Sequence, residues 1–243
     1  MIKTILYDLD GTLRFNVPSG RNFFLDHAAA VGLPVSPGDR QRVGVWEHRY
    51  WAESADLRRD LAEHPTSETF WARYSERQLE ALGCVAEQVR ALAPEMQRYM
   101  SEDYQPQDLL LPGAVEVLAE LRGAGYALGV VSNRGQPFGE YLAEKGLADL
   151  IDFSVSGGEA GAKKPDKGIF EYALRQADSR PAETIYVGDN YFADVVGARG
   201  AGINPVLFDP EGLFEVPGCP VIRAHDELLT LLDGRDAWPG NGK

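Results

Sequence analysis

An apolar run, Ile5-Leu6-Tyr7, leads straight into Asp8-Leu9-Asp10-Gly11-Thr12. Two carboxylates one residue apart at the end of a strand repel each other. At about 4 Å and an effective dielectric near 20 the repulsion is roughly 4 kcal/mol. A divalent cation removes that cost, and the same cation leaves one aspartate able to attack phosphorus. Asp and Gly also favour turns, so a strand followed by a plain Asp-Gly turn fits this stretch taken alone.

Three more polar clusters stand at the edges of apolar or helical segments. They are Val130-Val131-Ser132-Asn133, Lys163-Lys164-Pro165-Asp166, and Val187-Gly188-Asp189-Asn190-Tyr191-Phe192-Ala193-Asp194. Each has a bland reading of its own. Ser132-Asn133 suits a helix N-cap, Lys164-Pro165-Asp166 an exposed turn, and Gly188-Asp189 a turn with Asp194 on a solvated helix. Taken together they supply what phosphoryl transfer requires: a nucleophile, a metal, donors for the phosphoryl oxygens and a proton donor for the leaving oxygen. Asp8 is the candidate nucleophile, forming an aspartyl phosphate. Asp10 is placed to protonate the leaving oxygen and then activate water. Gly11 permits a sharp turn close to the phosphate. Ser132 offers a hydroxyl, and Lys164 a positive charge where negative charge develops. The expected catalytic set is Asp8, Asp10, Ser132 and Lys164. Gly11, Thr12 and Asn133 join Ser132 and Lys164 as expected phosphate contacts. Asp189, with Asp194 near or behind it, completes an acidic pocket with Asp8. An all-oxygen pocket suits Mg²⁺, and it lacks the His or Cys that would favour zinc.

The elements that must position these groups are legible as an alternation. Residues 2–7 read as a short strand buried on both faces. From about 109 onward, helical spacing at 113–124, 137–146, 166–178, 192–200 and 225–232 alternates with strands at 126–131, 151–155, 184–187, 204–208 and 220–222. Such alternation predicts an α/β fold with a Rossmann-like parallel sheet, whose strand ends share one edge where ligands bind. The intervening stretch reads differently. Segments 21–31, 39–63, 67–82 and 85–103 carry helical spacing and predict an inserted helical bundle. The expected domains are therefore an α/β core of 1–14 and 109–243 and a helical insert of 15–108. Within the insert, Trp46, Tyr50 and Trp51 suit core packing better than a substrate pocket. Arg14 reads as a surface charge, and His27, His48, His64 and His225 lie outside every cluster. The tail from Gly234 to Lys243 reads as frayed.

In this order, the four clusters resemble those of the haloacid dehalogenase-like hydrolase superfamily, over 1–14 and roughly 109–208. The resemblance implies that Asp8 is nucleophile and Mg²⁺ ligand, and that Asp10 is the acid/base and ligates through its backbone carbonyl. It implies that Ser132 and Lys164 hold the phosphoryl group, and that Asp189 ligates the metal with Asp194 as ligand or support. The insert looks like the family's helical C1-type cap. Dehalogenases of the superfamily lack the second aspartate, which this chain has in Asp10, so the resemblance points to a phosphatase acting on a small phosphorylated metabolite. A 2-haloacid dehalogenase, a phosphosugar mutase and a phospho-aspartyl signalling module without turnover are the alternatives. Phosphonate-cleaving relatives use a cap lysine, and residues 4–144 contain none.

Composition narrows the partners. The formal net charge of -13 over 243 residues repels nucleic acid and anionic lipid. No apolar run approaches the roughly 20 residues that span a bilayer, and no basic-then-apolar leader opens the chain. Cys84 and Cys219 stand alone, which suits a reducing compartment. The expectation is a cytoplasmic enzyme, and nothing in the sequence sets an oligomeric state.

Overall fold

The computed structural model describes residues 1–233; the tail expected to fray lies outside them. The chain divides into two units, one of Met1–Phe15 with the chain from Leu110 onward, the other of Asn16–Leu109.

In the first unit, β1 (Thr4–Tyr7), β4 (Ala127–Ser132), β5 (Phe153–Ser156), β6 (Thr184–Gly188), β7 (Asn204–Phe208) and β8 (Val221–Ile222) form a six-stranded sheet in the order β5-β4-β1-β6-β7-β8. Every pairing in it is parallel. β1 and β6 are buried along their whole length, which is why they read as unbroken apolar runs rather than as alternation. Successive side chains point to opposite faces. Ile5 and Tyr7 join one core with Val117, Leu118 and Leu121 of α6 (Ala114–Gly123). Leu6 joins the other core with Ile169, Phe170 and Ala173 of α9 (Lys167–Gln176). Helices therefore cover both faces.

Register brings the chemistry to one edge. Tyr7 lies level with Val130 on one side and Val187 on the other. The Asp8 amide extends the ladder by donating to the Val187 carbonyl at 2.8 Å. Asp8, Ser132 and Asp189 consequently leave the sheet at the same carboxyl-terminal edge.

The second unit holds α1 (Gly20–Ala30), α2 (Pro37–Trp51), α3 (Ala55–Glu63), α4 (Ser67–Leu82) and α5 (Ala86–Asp103). The single helix expected over 39–63 is two. Glu53 takes a left-handed φ of 53°, and the Ser54 hydroxyl accepts from the Leu57 amide at 3.0 Å while donating to the Tyr50 carbonyl at 2.9 Å. No Gly or Pro marks that break; the capping serine is its only sequence signal. Phe24, Leu25, Val43, Leu79 and Met96 form one core. Tyr50, Leu57, Phe70 and Tyr74 form another. The buried Asp60 carboxylate braces this second core, accepting from Tyr50 at 3.0 Å and from Arg77 at 2.9 and 3.0 Å. Two short strands, β2 (Arg14–Val17) and β3 (Gln107–Leu110), pair where the chain passes between the units. The helical reading of 15–108 missed them, because four half-exposed residues carry too little period to register.

His225 is structural. It is buried, stacks on Phe208 with ring centroids 4.7 Å apart, and donates from Nε2 to the Thr12 carbonyl at 3.0 Å. Its Nδ1 has no partner, and burial lowers its pKa below the ordinary 6.5. The folded imidazole is neutral, so below about pH 6.5 the unfolded chain binds a proton that the folded chain refuses, and stability falls with pH. His225→Leu should cost about 1–3 kcal/mol in urea unfolding near neutral pH, by orphaning the Thr12 carbonyl. It should also flatten the loss of stability between about pH 6.5 and 5.

Candidate active site

Three strand ends and one helix approach supply the site. Lys164 precedes α9 and is held there by Asn133, whose side chain accepts from the Lys164 amide at 2.6 Å and donates to its carbonyl at 3.0 Å. So placed, Lys164 is 3 % exposed. Its ammonium donates to Asp8 Oδ1 at 2.5 Å, Asp194 Oδ1 at 2.7 Å and the Tyr186 hydroxyl at 3.0 Å. The Tyr186 hydroxyl in turn donates to the Val131 carbonyl at 3.1 Å. That pair ties β6 to β4 directly under the lysine. Lys163, the neighbouring candidate, is exposed.

Asp194 lies in a π-helical turn, Tyr191–Val195, whose cap is Asn190. The wide turn directs Asp194 back toward the end of β6, where its Oδ2 accepts from the Asn190 amide at 2.9 Å. Gly188 is required there, because a Cβ would collide with the Asp194 carboxylate. Gly11 meets the same constraint past the end of the neighbouring strand β1. Its φ is +96°, and a Cβ would overlap the carboxylate of Asp189.

Asp8, Asp189 and Asp194 each offer an oxygen within 4.8 Å of the others. Three carboxylates against one ammonium leave two uncompensated negative charges if all are ionised. The electrostatics register the deficit. Burial pushes the Asp8 carboxyl up to about 7; Lys164 opposes that shift, while Asp194 and Asp10 add to it. Burial, then Asp8 and Asp194, hold Asp189 well above the usual carboxylate range. Burial would lower Lys164, but Asp194 and Asp8 outweigh it and keep the ammonium charged. An oxygen-only group of this charge has the chemistry a hard divalent cation requires.

The remaining predicted residues surround this group. Ser132 is buried at the end of β4, with its hydroxyl 3.4 Å from Asp10 Oδ2. The Asp10 carboxylate does not join the other three: it faces outward and is gripped by Arg134, whose Nε and Nη2 donate at 3.0 and 2.8 Å. Arg14 adds a third cationic contact at 3.3 Å. Thr12, expected on phosphate, has a different partner. Its buried hydroxyl accepts from the Asp189 amide at 3.0 Å and donates to Asp189 Oδ1 at 3.1 Å. Thr12, Gly11 and Asn133 thus hold other site groups in place through side chain or backbone shape. Arg134 and Tyr186 were not singled out from sequence. Arg134 directly follows Ser132-Asn133, and a charged residue at a strand end was its only signal.

The sequence pattern of the haloacid dehalogenase-like hydrolases matches residues 2–202. The chain belongs to that family of hydrolases. A human protein named haloacid dehalogenase-like hydrolase domain-containing protein 3 is 30 % identical over 241 residues, covering 96 % of this chain and 94 % of that one. A phosphoserine phosphatase of Thermus thermophilus is 34 % identical over 229 residues, covering 86 % and 89 %. Among solved structures, a 2-haloacid dehalogenase of Pseudomonas syringae superposes with a TM-score of 0.55 at 25 % identity, over 97 % of this chain and 100 % of that one. The family's fold is therefore this chain's fold. Among the described residues no helix is long and apolar enough to cross a membrane.

In this hydrolase Thr12 orients Asp189 without touching the other carboxylates. Thr12→Val removes the hydroxyl and keeps the shape. If the three carboxylates hold a divalent cation, the change should weaken its binding about 10- to 100-fold by calorimetry while leaving the unfolding transition cooperative.

Proposed function

We propose that this hydrolase is a Mg²⁺-dependent phosphatase, cleaving the phosphoric monoester of a small metabolite through an aspartyl phosphate on Asp8. The observation that carries the reading is Lys164, buried between Asp8 and Asp194 and fully donated to them and Tyr186. The likeness to a phosphoserine phosphatase supports it.

Asp8 and Asp189 would hold the cation, with Asp194 beside them and the Asp10 backbone carbonyl as the further ligand the family resemblance implies. When bound, the cation offsets the charge of the carboxylates and of the incoming phosphoryl oxygens. Asp8 then attacks phosphorus; the new O–P bond forms as the bond to the leaving alcohol oxygen breaks. Ser132 donates to the phosphoryl oxygens, and Lys164 does so by turning toward them a proton that it gives to Asp8 or Asp194 in the resting site. Asp10 gives its proton to the leaving oxygen, then takes one from the water that attacks phosphorus and releases inorganic phosphate. Arg134 occupies both Asp10 oxygens in the resting site, so this pair must open before Asp10 can reach the leaving group.

Asp8→Asn should reduce turnover of an aryl phosphate by about a thousandfold or more, and withholding Mg²⁺ should do the same. Wild-type turnover by Asp8→Asn would remove the mechanism. The likeness to a 2-haloacid dehalogenase motivates one second reading. Halide release from a 2-haloacid, at a rate above that on any phosphate ester, would establish it.

The raised Asp8 pKa has a thermodynamic signature. Without cation, folded Asp8 keeps its proton up to about pH 7, whereas the unfolded chain releases it near 4. Asp8 therefore costs the fold stability as pH rises through that window. Mg²⁺ takes the proton's place, so it should raise the melting temperature more at about pH 8 than at about pH 5. Equal shifts at both would contradict the assignment.

A further inference from the structure

Within the helical unit, α2 and α4 turn matching faces onto a cavity of about 450 Å³, in the size range of small-molecule pockets. Glu47 and Trp51 face it from α2, and Trp71, Tyr74 and Gln78 from α4. These are i, i+4 and i, i+3, i+7 spacings, so one face of each helix borders the space, and the two faces meet at its edge where Trp51 packs on Tyr74.

The polar groups of the wall are paired, with one exception. Glu47 accepts from the Tyr74 hydroxyl at 2.8 Å and from Arg21 at 3.2 Å. The Trp51 indole donates to the Tyr74 hydroxyl at 3.1 Å. Gln78 is 2 % exposed and lines the cavity, and among the described residues its side-chain amide has no hydrogen-bond partner. A buried primary amide has donors and acceptors to satisfy, and leaving them unmade destabilises a fold. Gln78 is therefore the group in this wall that is left to pair with solvent or with a ligand entering the cavity. No lysine or arginine lines the space, so it does not attract an anion.

We propose that this cavity binds a neutral, flat heterocycle carrying an N–H beside a C=O. Trp51 and Trp71, with ring centroids 6.1 Å apart and tilted by 51°, form one aromatic wall for a single face of the ring, and the Gln78 amide, with its adjacent oxygen and nitrogen, pairs its edge. The site stands independently of the phosphatase reading, because its ligand need carry no phosphate.

Calorimetric titration of the full chain with inosine and with uridine tests this directly. At least one should bind at one site per chain. Uridine methylated on its ring N–H, or inosine methylated on its own, should bind roughly tenfold or more weakly than the parent. Gln78→Leu should weaken the parent by a similar factor, and by removing an unpaired amide it should melt at or above the wild-type temperature. Failure of both nucleosides to bind overturns the proposal. So does binding that is indifferent to ring methylation in the wild-type protein, a comparison that needs no variant. The 5′-monophosphates identify the source of the heterocycle. Turnover with tighter binding makes it part of a substrate, and unchanged binding without turnover makes it a separate ligand.

Discussion

One buried ammonium among three carboxylates governs the α/β unit. Lys164 is in hydrogen-bond contact with Asp8 and Asp194, and Asp189 completes the group. Sequestering this much charge is costly unless nearly every lone pair and proton is matched. The surrounding structure does most of that matching. Asn133 fixes the lysine's backbone, Tyr186 takes a further ammonium proton, Thr12 holds Asp189, and the Asn190 amide holds Asp194. What remains uncompensated is a charge of the size and sign that a divalent cation offsets.

The parallel sheet makes that concentration possible. Each strand contributes only the residue or two beyond its end, and register sets those ends level. Two glycines make room: Gly11 and Gly188 stand where any Cβ would displace Asp189 or Asp194. The helical unit answers to a different rule. Its two cores close around Phe24, Leu79, Tyr50 and Phe70, whereas one face of α4 stays open with a buried amide unpaired.

The residues proposed to do the chemistry were legible as candidates in the sequence because they stand at strand ends, where a carboxylate, hydroxyl or lysine interrupts an apolar run. The alternation that sets the parallel sheet was legible for the same reason. Residues that act through other residues were not. Thr12 and Asp189 are 177 positions apart, and Arg134 and Asp10 124, so no spacing rule links them. The hydroxyl of Thr12 looked like a phosphate donor because sequence shows its type and not its partner. His225 fell outside every cluster, yet it secures the loop of the first motif from the far end of the chain. The split between α2 and α3 was hidden because the helical spacing resumes after a three-residue break that holds neither Gly nor Pro.

The account stands or falls on where a cation and a phosphoryl mimic settle. A crystal structure of the protein with Mg²⁺ and beryllium fluoride measures this. The account predicts the cation against Asp8 and Asp189, and the fluoride complex bonded to a side-chain oxygen of Asp8 within reach of Ser132 and Lys164. Both species bound elsewhere, with Lys164 still closed on Asp8 and Asp194, would contradict it.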